Sequence, residues 1–132
     1  MQAPRITIPA AIRRGTLIVN GPVMALLAGP GLLVVMSAKP LTDWLGSRDA
    51  VSSLTLATFA LGFVLAWTWW SVSVPRWRLW AYERVDDIPA LKAHAIRAGL
   101  IWPDGSLFQR TEIRSAELAR RIQELESAGD KR

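Results

Sequence analysis

The chain contains no cysteine and one histidine, His94. Without thiols there can be no disulfide, no thiolate metal site and no thiol nucleophile. His94 has Lys92 and Arg97 nearby but no acid at ligand spacing. A metal site needs three or four ligands, so His94 reads as a surface or half-buried residue. Phosphate-loop glycines are also missing. Asp104-Gly105-Ser106 lacks the glycine run and the Lys-Ser/Thr of a phosphate cradle and reads as a turn. No Ser, Thr or Lys sits in a nucleophile motif. Asp86-Asp87 is an adjacent acid pair, which helix capping explains better than acid–base chemistry. These absences lead to the expectation of a non-enzymatic protein with no cofactor and no metal.

The absence with the largest consequence is that of charge from two long stretches. Residues 53–74, SLTLATFALGFVLAWTWWSVSV, carry none. As a helix they would be about 33 Å long, against a bilayer hydrocarbon core of about 30 Å. A chain of 132 residues is too short to wrap such a helix on all sides in a soluble core. Residues 17–36, LIVNGPVMALLAGPGLLVVM, form a second uncharged span, interrupted by Asn20-Gly21-Pro22 and Gly29-Pro30-Gly31. Membrane helices tolerate Pro and Gly where neighbouring groups satisfy the freed carbonyls, and a kink is expected near Pro30. The rival reading is a cleaved signal peptide. Against it, the apolar region is long, Pro-Gly splits it, and no small-x-small site follows. The expected fold is therefore mainly α: an integral membrane helical hairpin followed by a small C-terminal module.

Charge sets the expected orientation. Arg5, Arg13 and Arg14 lie in the basic arm 1–16, and Arg76, Arg78 and Arg84 follow the second span. The connector 37–52 holds only Lys39 and Arg48, balanced by Asp43 and Asp49. Positive flanks stay inside, so a cell-membrane, two-pass protein with both termini cytoplasmic is expected. A basic excess confined to membrane ends points to anionic lipid headgroups rather than nucleic acid.

Tryptophans mark the expected membrane surface. Trp44 in the connector, then Trp69, Trp70, Trp77 and Trp80 at the end of the second span, are expected at headgroup level, with Arg76 and Arg78 meeting phosphates. Residues 75–84 thus read as an interfacial Trp/Arg segment. Residues 85–132 read as a small cytoplasmic module. Within it a helix begins near Ile88, capped by Asp86 and Asp87, with Pro89 in its first turn and Gly99 closing it. Pro103-Asp104-Gly105 separates two apolar triplets, a turn that admits a tiny β-hairpin, although two short strands alone are only marginally stable. A last helix runs from about 111 to 127, with Leu118, Ile122 and Leu125 on one face.

Two rows of small residues at fourfold spacing, Gly21-Ala25-Gly29 and Thr58-Gly62-Ala66, are candidate helix–helix packing positions. Neither span holds an ionisable side chain of the kind that marks transport or proton relay; Asn20 is the most polar candidate. The function expected is that of an accessory or structural subunit whose partner is another membrane protein or a second copy of itself. The alternatives are a subunit of a homo-oligomeric channel or transporter, and a membrane-tethered adaptor or regulator.

Overall fold

The computed structural model describes residues 4–131. It is mainly helical, with no strand among those residues. Six α-helices follow one another: α1 (Ile8–Gly15), α2 (Gly21–Met36), α3 (Ala38–Leu45), α4 (Arg48–Tyr82), α5 (Ile88–Arg97) and α6 (Ala116–Gly129). A π-helical turn, Thr16–Asn20, joins α1 to α2, and a 3₁₀ turn, Leu107–Thr111, lies between α5 and α6. The widened turn sits directly before Pro22, whose nitrogen has no hydrogen to give the helical ladder.

The chain divides into two compact units. A central unit comprises Gly21–Trp69; a terminal unit comprises the residues up to Asn20 together with those from Trp70 onward.

In the central unit the segment expected as a polar connector is largely helical. Gly46, at φ 68°, ends α3, and Ser47 Oγ accepts from the Ala50 N–H at 3.3 Å to open α4. The second long helix therefore starts at Arg48, ahead of the uncharged stretch. Ile8–Met36 and Arg48–Tyr82 are both long and apolar enough to cross a membrane, and only 11% and 17% of their most apolar windows are buried.

The terminal unit folds around the last turns of α4. Thr7 caps α1, Asp87 caps α5 ahead of Pro89, and Ser115 caps α6, each accepting a backbone N–H with its side chain. Val74, Trp77, Ala81, Leu91, Leu100 and Ile122 form the buried core. Three expectations change here. The basic arm is not a separate element: Gly15 in α1 lies so close to Trp77 that a Cβ there would fall 2.7 Å from the indole. The stretch 75–84 is not a separate element: through Tyr82 it is the end of α4, with Trp77 and Arg78 inside the unit and Arg76 exposed. The β-hairpin does not form. Gly105 makes its positive-φ turn, but Ser106 Oγ then accepts from Phe108 N and Gln109 binds both Gly105 N and Asp104. Those local bonds take up backbone groups that strand pairing needs, and Leu100 and Ile101 are buried in the core instead.

Candidate functional site

Pro75 organises the terminal unit. A proline inside a helix withholds the N–H that would bond the carbonyl four residues earlier, here that of Ser71. The Ile113 N–H, from the segment before α6, donates to Ser71 O at 2.9 Å. This bond brings Glu112 against α4, where the Arg78 guanidinium donates to its Oε1 at 3.0 Å; both side chains are almost completely buried. Arg114 Nε lies 3.4 Å from Glu112 Oε2. Burial pushes the Glu112 carboxyl above the ordinary carboxylate range, against the pull of Arg78 and Arg114. Ser71 Oγ, Arg78 Nε and Glu112 Oε2 make no hydrogen bond within the chain.

Around this buried pair lies a ring of polar ties. Trp77 Nε1 donates to Ala11 O at 3.1 Å, and Ile6 N to Arg84 O at 2.9 Å, fixing the N-terminal segment and α1 to the end of α4. The guanidiniums of Arg14 and Arg84 lie 4.3 and 5.1 Å from the Trp80 ring centre, both within cation–π range. Arg5 pairs with Asp86. The Tyr82 hydroxyl donates to Glu126 at 3.0 Å, and Lys92 pairs with both Glu126 and Asp104. The Lys92 ammonium holds the Asp104 carboxyl below its usual range. Lys92, Asp104, Gln123, Glu126 and Asp130 line an open cleft of about 400 Å³, in which Lys92 is paired with Asp104 and Glu126. His94 Nδ1 donates to the Ala90 carbonyl at 2.8 Å on an exposed face. No group of acids and histidines able to hold a metal occurs among the described residues.

In the central unit Pro30 frees the Leu26 carbonyl by the same rule. Gly62 in α4 lies against that oxygen: a Cβ on Gly62 would sit 2.5 Å from it. Glycine's hydrogen occupies that direction instead and leaves room for the oxygen.

The small-residue positions therefore part company. Gly62 and Ala66 are buried and Thr58 is half-buried, its hydroxyl donating to Leu54 O at 2.7 Å. Gly21 and Ala25 are exposed, and a Cβ on Gly29 would meet nothing within 4 Å. The close approach on α2 is made instead by the Leu26 carbonyl and by Gly31, where a Cβ would fall 2.4 Å from the Phe59 ring. The proline itself was the signal for the first of these, since it marks which carbonyl is free.

The interface positions divide too. Trp44 is 81% exposed, and Trp69 and Arg76 are also exposed. Trp70, Trp77 and Arg78 are buried, and Trp80 is half-buried between its two arginines. Glu112, Ile113 and Tyr82 have structural roles that composition did not reveal.

No family model, no curated protein and no solved structure matches this chain.

Proposed function

We propose that the protein is a two-pass integral membrane protein of the cell membrane, with both termini cytoplasmic, acting as a non-enzymatic accessory or structural subunit. The observation that carries this reading is the exposure of the apolar side chains on both long helices, among them Leu33, Leu56, Leu61, Phe63 and Val64. In water such surface is costly at about 25 cal/mol per Å²; in a bilayer it is matched. The hydroxyls there support the same reading. Thr55, Thr58 and Thr68 each donate to the carbonyl four residues back in their own helix, which is how a hydroxyl is satisfied away from water. The hairpin would place the 37–52 segment outside and the terminal unit in the cytoplasm, where its arginines meet anionic headgroups. The partner would be another membrane protein or a second copy, not nucleic acid.

The test uses the chain's lack of cysteine. Single cysteines at Asp43 and Ser127 are treated on intact spheroplasts with an impermeant thiol reagent. Labelling at 43 and not at 127 is expected, and the reverse pattern overturns the orientation. Release of the protein from membranes by alkaline carbonate overturns membrane integration itself.

A further inference from the structure

The 3₁₀ turn and the residues after it present an unusual surface. Leu107 is 74% exposed, Ile113 59% and Phe108 46%, and Phe108 stacks on the exposed Trp102 with ring centres 4.6 Å apart. The acid in this segment, Glu112, is buried against Arg78, so the charge left on its surface is that of Arg110, with Arg114 half-buried behind it. Residues 107–114 are apolar and basic without an exposed acid; the neighbouring Asp104 bonds Gln109 and is paired with Lys92.

Its depth is fixed from within the chain. The Ile113 N–H bonds Ser71 O. Ser71 lies inside the uncharged stretch, five residues before Arg76, the first charge beyond it. Five residues of helix are about 7.5 Å along the axis. If α4 crosses a bilayer with Arg76 at the phosphates, the Ile113 backbone is held about that far toward the acyl chains. Amphipathic segments that lie on a membrane bury their apolar face about 5–10 Å below the headgroups.

We propose that residues 107–113 form a third membrane contact, a hook that sets Leu107, Phe108 and Ile113 into the boundary of an anionic bilayer while Arg76 and Arg110 meet lipid phosphates. It rests on the two-span reading given above. The bilayer is favoured over a protein as occupant by two features: the hydrogen bond that fixes the depth, and the basic charge of Arg110 and Arg114 on the segment, which matches an anionic lipid surface. The acidic neighbour Asp104 is already paired with Lys92.

The test places one spin label at a time on cysteines introduced at Leu107, Ile113, Leu61 in the apolar stretch, and Ser127 on α6. The full chain is reconstituted in equimolar phosphatidylcholine and phosphatidylglycerol vesicles. Collision rates with oxygen, which concentrates in lipid, and with a nickel chelate, which stays in water, are compared. The oxygen-to-nickel ratio is expected to be several-fold higher at 107, 113 and 61 than at 127. In phosphatidylcholine alone the ratio at 107 and 113 should fall while that at 61 holds.

A water-like ratio at 107 and 113 with a lipid-like ratio at 61 overturns the hook and leaves the two spans standing. A water-like ratio at 61 as well overturns the two-span reading. Labels at 107 and 113 shielded from both reagents mean that protein covers the segment, which also overturns the hook. An unchanged ratio without phosphatidylglycerol overturns the role given to the arginines.

Discussion

Pro30 and Pro75 pose the same problem in the two units, and the chain answers it differently in each. Both lie inside helices that continue through them, and each leaves a carbonyl without its ladder partner. In the central unit Gly62 covers the Leu26 oxygen by close approach of its Cα. In the terminal unit a backbone N–H arrives from Ile113, well outside the helix, and makes an ordinary bond to Ser71 O. The first solution needs only a missing side chain on a passing helix. The second needs an irregular segment held in place, and a buried ion pair beside it does the holding. Every ion pair among the described residues lies in the terminal unit. The two regions should therefore respond to different substitutions: the central one to added volume, the terminal one to lost charge.

The largest effect is expected at Glu112. Glu112→Gln leaves Arg78 buried without its counter-ion, and breaking a buried pair this way costs about 3–5 kcal/mol. Joint replacement, Arg78→Leu with Glu112→Leu, should recover most of that loss, because it removes both desolvated charges. Thermal unfolding of the purified protein in mild detergent reports the difference. Amide exchange should locate the loss in residues 70–131 and leave residues 54–66 unchanged. A Glu112→Gln protein as stable as the wild type would show that the pair does not hold the segment.

Next in size is Gly62→Ala. The new Cβ meets a backbone oxygen at 2.5 Å, which can retreat only if α2 moves. Overpacking of this kind costs about 1–3 kcal/mol. Gly31→Ala is the sharper control. Its Cβ would meet the Phe59 ring just as closely, but a ring can rotate away. Gly62→Ala should therefore lower the melting temperature more than Gly31→Ala. Equal losses would mean that the Leu26 carbonyl is not the constraint.

The two apolar helices could be read from the sequence because absence of charge over about 20 residues is a local property. The cap of α5 could be read for the same reason, whereas α6 starts at Ala116 behind Ser115 rather than near 111, because residues 107–111 form a 3₁₀ turn instead. Gly62 was found by its spacing, but its counterpart on α2 was not, because the contact is made by a carbonyl rather than by a small side chain. The terminal core was misread where a residue suits two environments. Trp77 and Arg78 have the chemistry of an interface, yet the partners that draw them inside, Ala11 and Glu112, stand 66 and 34 residues away. The bond from Ile113 to Ser71 had no sequence signal beyond Pro75, which announces a free carbonyl and not its donor.

Restoring the missing N–H tests the two solutions directly, with a smaller expected effect. Pro30→Ala gives Leu26 O the ladder bond that Pro30 withholds, a gain of about 0.5–1.5 kcal/mol. Pro75→Ala offers a second donor to a carbonyl that already has one, and it removes volume from a position that is fully buried. It should bring no gain. Melting temperatures of the two variants, compared in the same detergent, should move apart. Stabilisation by both would show that the Ile113 bond contributes little.

The smallest effect is expected at Asp104, and its sign is set by the pairing with Lys92. That ammonium holds the carboxyl below its ordinary value of 3.8. A carboxylate with a folded pKa below the unfolded one contributes stability that is fully present above the unfolded value and is lost as the pH falls through the folded one. The side chain is 59% exposed, so solvent screens the pair and the contribution is small. Asp104→Asn should lower the melting temperature slightly at neutral pH. The gap from the wild type should close as the pH is taken below 3.8, because the wild-type carboxyl is then protonated as well. Residues 21–69 contain Asp43 and Asp49 but no ion pair, so Asp43→Asn should leave the melting temperature unchanged across the same range. A gap that widens on acidification would place the effect of Asp104 outside its bond to Lys92. A matching acid response at Asp43 would remove the distinction between a unit held by charge and one held by packing.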